Sequence, residues 1–435
     1  MASRSPRWRR FVSILATAFV VLALPGAPAG ASTEDGSVVI EENSAFDQEH
    51  GVRSGKGTKS NPYVIEGWDL HELSIHDTNR YVVIRNNIIS RLTLNWVGDR
   101  VKVVHNRIGD LRVNENVERT GMPTSGDISF NRFGSVGQLR HWDGDFTNNV
   151  VGAPAQDDEF RIDSPGGFRI ANLDGFNGAT YVKNTFYGYV ELRIHGHHHS
   201  SGFNDDSHYH GAEHGKMPLT HMNRYHSAKF AQNRIYATGP YGFIYTDSNH
   251  AGNDRTATSE TNEALNDPHV HYTKVAILRN ELIGSGIMVD IFNATDTQKH
   301  LRTATGHMTI KGNSIKLHEY RETADGWSTP PTGIEVHEAR DLHLTITNNK
   351  IAGPAVETTR TTTDSLGGHV ASGIELLNLE KASVHITNNF VTNRVAGVYA
   401  RHFNRVQWWI NGLRTEGVEN QIDYDNSGAK PQGQP

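Results

Sequence analysis

The chain has 435 residues, no cysteine, 25 histidines and a formal charge of −6. No disulfide framework is possible, so a fold of this length must be held by core burial. An acidic balance argues against non-specific nucleic-acid binding, which needs basic stripes.

The first element in chain order is an export signal over residues 1–31. Arg4, Arg7, Arg9 and Arg10 precede an apolar run over residues 11–24, and Ala29-Gly30-Ala31 supplies the small residues that signal peptidase cuts after. The run is short for a bilayer span, and no second one follows. The expected product is secreted and extracellular, with no membrane partner after cleavage. Loss of four arginines takes its formal charge from −6 to −10.

A single pattern then recurs ten times: an apolar residue, two variable positions, Asn, one variable position, and another apolar residue. Its asparagines are Asn87, Asn106, Asn131, Asn149, Asn184, Asn233, Asn280, Asn313, Asn349 and Asn389. The flanking apolar pairs run from Ile84 and Ile89 to Ile386 and Val391, and Val275, Met308, Leu344 and Val384 extend the alternation backwards in later copies. Alternation of this kind predicts a short strand with one buried face. Asn is expected at the bend after the strand, because it tolerates left-handed backbone, and stacked copies can hydrogen-bond to one another. Spacings between successive asparagines are 19, 25, 18, 35, 49, 47, 33, 36 and 40, so some coils are bare and others carry loops. No long 3.6-residue periodicity competes with this reading.

Pattern and Asn position together resemble the right-handed parallel β-helix repeat of the pectate-lyase-like superfamily, over residues 60–405. The expected fold class is all-β, a right-handed parallel β-helix solenoid of ten or more coils with long loops on one side. Residues 57–68 (Gly-Thr-Lys-Ser-Asn-Pro-Tyr-Val-Ile-Glu-Gly-Trp) are similar to the opening segment of β-helix proteins related to the nitrous-oxide-reductase copper-maturation family. The resulting organisation is a signal peptide at 1–31, an N-terminal cap and first coil at 32–70, the β-helix at 71–405, and a C-terminal cap with a polar disordered tail at 406–435.

In several coils a second strand opens on glycine: Gly188, Gly242, Gly286, Gly333, Gly373 and Gly397. Alternation buries Val190, Leu192, Ile194, Ile334 and Val336. It sends Glu191, Arg193, His195, Asp290, Glu335, His337, Glu375 and Arg401 outward as a polar ladder with a rise of about 4.8 Å per coil. Glu335 and Glu375 are expected to be stacking neighbours, with Asp290 one coil earlier. Such a pair raises one carboxyl's pKa or shares a cation. Long insertions at 195–228, 247–273 and 292–306, and flanking ones at 316–331 and 353–371, would wall a groove suited to a polymer.

The largest insertion gathers nine histidines between Ile194 and Lys229. Alternate strand positions bring His195, His197 and His199 together, and likewise His208 and His210. A divalent metal (zinc, copper or calcium) is the cofactor this implies.

The superfamily resemblance implies a glycan-active enzyme. A polysaccharide lyase acting on an acidic glycan would neutralise a uronate, abstract the adjacent proton and protonate the leaving oxygen. Arg193, His195, Tyr245 and His337 are the groups for this, with Lys216 and Arg224 in the groove wall. A glycoside hydrolase would instead use carboxylates such as Asp247, Asp290, Glu335 and Glu375. A non-catalytic metal-binding or surface-recognition protein needs the histidine loop and not the ladder. The lyase is the leading expectation, with a polysaccharide as partner and a monomer as the working unit.

Overall fold

In the computed structural model, residues 36–422 are described apart from 115–124, 140–141, 153–168, 175–177, 196–225, 238–240, 249–272, 292–305, 319–331, 338–341, 354–371, 393–395, 405, 412–413 and 417–418. The signal at 1–31 and the tail after 422 lie outside the described residues, as do His197, His199, His208, His210, Lys216 and Arg224. Among the described residues no helix is long and apolar enough to cross a membrane.

The chain winds as a parallel β-helix. Each coil presents three faces in turn. The first-face strand comes before the ladder asparagine, as in Val82–Arg85 of the second coil and Leu342–Thr347 of the tenth. After the Asn corner come a short second-face strand and a longer third-face strand. In the first four coils these two run on as one strand, for example Ile88–Asn95; from the fifth they separate, as in Thr185–Tyr187 and Tyr189–His195.

First-face strands make a 13-stranded sheet, and the other two faces together make a 21-stranded one. Every pairing between coils is parallel; first-face strands pair without a shift, while some strands of the larger sheet shift register, as between Tyr241 and Phe243. One strand departs from this: Val52–Ser54 runs antiparallel to Tyr63–Glu66 and closes the first coil from outside. Twelve coils stack through Glu419–Ile422. Eleven steps at about 4.8 Å make a rod about 53 Å long.

Inward positions supply one continuous core. Ile84, Val103, Ile128, Phe146, Tyr181, Phe230, Ile277, Ile310, Ile346 and Ile386, the motif residues three before each Asn, are all 1 % exposed or less. In the middle coils the column turns aromatic, with ring centroids of Phe146, Tyr181 and Phe230 spaced 6.2 and 6.4 Å apart, and Phe133, from the next face, stacks on Phe146 at 5.6 Å. Aromatic pairs at such spacing add to the burial term.

The asparagines form an unbroken ladder. Each Oδ1 accepts the backbone N–H of the Asn one coil earlier, at 2.8–3.0 Å in every step from Asn87 to Asn389. Each Nδ2 donates to the carbonyl of the apolar residue three before the preceding ladder residue, as Asn233 does to Tyr181 O at 3.0 Å. Buried amides are thereby satisfied at the corner, where no strand pairing is available. Trp68 begins the ladder. Its N–H donates to Asn87 Oδ1 at 2.9 Å, and its indole donates to Gly51 O at 2.9 Å.

One expectation needs correcting. The left-handed residue is not the ladder Asn but the one before it: Asn86, His105, Phe130, Asn148, Lys183, Gln232, Arg279, Gly312, Asn348 and Asn388 have φ of 53–69°. The ladder Asn must turn its side chain inward along the stack, so the preceding residue makes the bend and faces solvent.

Candidate functional site

Third-face strands carry the polar column expected from the sequence. Register runs Asn172, Glu191, Ile244, Met288, Glu335, Glu375 and Tyr399 from coil to coil. Glu335 and Glu375 are stacking partners, as the spacing suggested. A parallel column runs Asp174, Arg193, Thr246, Asp290, His337, Leu377 and Arg401. Asp290 is therefore the register partner of His337.

Outward did not mean exposed. Glu191, Glu335 and Glu375 are 6, 1 and 0 % exposed. Alternation along a strand decides which side of the sheet a residue takes, but not whether chain lies over that side. Ser74 and Thr93, which stand on the outer side of the third face in the first two coils, are also buried.

Burial gives these carboxyls specific partners. Thr332 Oγ1 donates to Glu375 Oε2 at 3.0 Å. His337 Nε2 lies 2.5 Å from Glu335 Oε1. Glu191 is held separately, by Arg169 at 2.6 Å. Beyond the acid pair, Leu377 and Tyr399 form a small apolar cluster of their own, apart from the core, and Tyr399 is the register partner of Glu375.

The sequence-derived groups do not all converge. Arg193 stands three coil steps from His337, about 14 Å along the axis. His195 pairs with Ser248, two positions further along the strand. Tyr245 is in register with Leu192 and Val289, both 0 % exposed. Its register column is thus that of two buried residues and not that of Glu191 and Glu335. Asp247 shares a column with Ile194 and Ile291.

Two features escaped the sequence reading. Thr332, which donates to Glu375, precedes the strand-opening Gly333, and Ser285 and Ser372 precede Gly286 and Gly373 in the same way. All three hydroxyl residues are buried. The signal was a hydroxyl-glycine doublet, hidden because glycine alone marked the strand start. The second is the Leu377–Tyr399 pair, which reads as core in a sequence.

What the cluster can do follows from its composition. Two carboxyls on adjacent rungs, out of water, cannot both be ionised cheaply. A carboxyl pair of this kind can share a proton, and an imidazole nitrogen, His337 Nε2, stands 2.5 Å from Glu335 Oε1. Among the described residues no group of three or more His, Asp or Glu is placed to hold a metal ion. Compared with protein-family models, with curated proteins and with solved structures, the chain matches none of them.

Proposed function

We propose that this chain is an exported glycan-processing β-helix that cleaves a glycosidic bond with Glu335, Glu375 and His337. The observation carrying this reading is the stacked, buried pair of carboxyls with an imidazole nitrogen 2.5 Å from one of them. Adjacent rungs lie about 4.8 Å apart, near the roughly 5–5.5 Å carboxyl separation of retaining glycosidases. One carboxyl would protonate the leaving oxygen, and the other would attack or stabilise the sugar cation. His337 would reset the protonation of Glu335. Likeness to the pectate-lyase-like superfamily supports a glycan as the substrate class.

Hydrolysis takes precedence over the elimination expected from sequence for a geometric reason. Arg193 and His195 stand three coil steps or more away from the acid pair, and Tyr245 is in register with the buried Leu192 and Val289. Elimination retains one supporting observation: Arg193, Asp290 and His337 share a single register column.

One experiment separates the two. The protein is incubated with neutral and uronate polysaccharides while reducing ends and the ultraviolet absorbance of unsaturated uronate are followed together. Reducing ends without absorbance are expected, with a loss of at least about 100-fold in Glu335→Gln or Glu375→Gln at unchanged unfolding temperature. Rising absorbance would move the chemistry to elimination. No product in either channel, across neutral and acidic glycans, would sink the reading.

A further inference from the structure

The ladder corner carries a charge pattern at odds with the rest of the chain. The chain is acidic, yet on the first and second faces of coils six to ten every formally charged described residue except Glu281 is Lys or Arg. Lys183, Lys229, Lys274, Arg279, Lys311 and Lys350 are all exposed. The single acid is already matched, since Glu281 Oε2 meets Arg234 Nε at 2.9 Å.

The same faces in earlier coils balance their charges instead. Arg85 meets Glu66 at 2.5 Å and Lys102 meets Asp127 at 3.2 Å. The imbalance is therefore local to coils six to ten. It stretches over four coil steps, about 19 Å. Gly312, with no side chain, leaves room for the Arg279 stem, whose Cγ lies 3.4 Å from where a Cβ would stand. Arg279 thus runs along the axis towards the coil of Lys311.

Two further observations fit. His307 and His343 stack beside Lys274, with centroids 4.8 Å apart. The His307 imidazole is held below its ordinary pKa by partial burial, by His343 and by Lys274, as expected where positive charge is already concentrated. Among the described residues the strip carries no exposed large hydrophobic side chain. The exposed large hydrophobic residues, Val39, Ile88 and Phe130, all lie in or before the fourth coil.

We infer that this corner is a second binding surface, distinct from the third-face site, that holds a linear anionic glycan along the coil axis. Cations spread over several coils of one corner, with no acidic partner among the described residues, attract an elongated polyanion. The described part of the strip offers charge and no apolar side chain to insert into a membrane. The choice of a glycan over other polyanions rests on the function proposed above; the surface itself rests on charge. The corner would keep a polymer concentrated on the protein while the third face works on a separate stretch or strand.

The test is equilibrium binding of the full chain to polygalacturonate, with its methyl-esterified neutral form, duplex DNA and phosphatidylserine vesicles beside it. Binding is read without turnover, so a failure of the cleavage reading leaves it interpretable. The expected result is binding to the charged glycan only, weakening steeply with salt. The Lys274→Gln/Arg279→Gln/Lys311→Gln variant should lose at least about tenfold in affinity, while Glu335→Gln and Glu375→Gln keep it. Absence of binding, an unaffected triple variant, or DNA or vesicles bound as tightly as the glycan would each overturn the inference.

Discussion

Replacing Asn233 by Ala tests whether the ladder holds the corner. Asn233 is 1 % exposed and stands in the middle of the stack. Its Oδ1 accepts from Asn184 N at 2.8 Å and Asn184 Nδ2 at 3.1 Å. Its Nδ2 donates to Tyr181 O at 3.0 Å and Asn280 Oδ1 at 3.1 Å. Alanine removes all four bonds. The Asn184 N–H is then buried without its acceptor, which costs about 1–3 kcal/mol. The other partners keep some satisfaction: Asn184 Nδ2 still reaches Phe146 O at 2.8 Å, and Asn280 Oδ1 still accepts from residue 233 N. Those three losses contribute about 0.5–1 kcal/mol each. The sum is about 2.5–6 kcal/mol. Urea unfolding followed by circular dichroism reads the total, and exchange of the Asn184 amide reads the local opening. Because each coil touches only its neighbours, the defect should also reduce cooperativity. A cost below about 1 kcal/mol, or an Asn184 amide that exchanges no faster, would refute the reasoning.

Three other changes probe different features. Gly286→Ala would put a Cβ 1.9 Å from Thr332 O, a backbone atom of the next coil, so a loss of at least about 3 kcal/mol in chemical unfolding is expected. Phe130 holds φ 56° while 55 % exposed, and Asn tolerates that backbone better; Phe130→Asn should stabilise by about 0.5–1 kcal/mol, and a lowered urea midpoint would count against the strain account. His307 is held below its ordinary pKa of 6.5, so the folded state prefers the neutral ring. Its contribution is complete above 6.5 and fades as pH falls through the lowered value. His307→Gln should therefore lose less stability than the parent between about pH 8 and about pH 5, measured by unfolding midpoints.

The fold was legible because its determinants are local and repeated. Alternation around ten asparagines named the strand, the inward side and the stacking partner in each coil, and the ladder bonds follow from that register. The bend was misassigned because the chain shows Asn at every corner while the residue before it varies from Phe130 to Gly312. The doublets Asn86-Asn87, Asn148-Asn149, Asn348-Asn349 and Asn388-Asn389 were the available clue, since an Asn repeated twice points to two different roles. The site was legible only in part. Period-two alternation placed Glu335 on Glu375, but cover over a sheet comes from segments distant in sequence, and no local pattern encodes it. The register of Tyr245 with Val289 was a different case, because alternation counted from Phe243 already implies it.

Burial of the acid pair is the reason to attach chemistry to it. The same outer side of the third face shows what burial alone asks for: Ser74 and Thr93 are each 5 % exposed and carry small neutral hydroxyls. Ile244 and Met288 fill the intervening coils of the acid column with apolar side chains. Where a lone carboxylate occurs, at Glu191, a guanidinium answers it at 2.6 Å. Against that background, acids on two successive rungs are an expensive choice, because each raises the cost of ionising the other. Thr332 and His337 supply a hydroxyl and a titratable ring at the same place. A ladder built for stability would use the serine and threonine solution again. Stacked carboxyls with an imidazole beside them are instead the arrangement proton transfer would use, and that contrast is the physical ground for the cleavage proposed above.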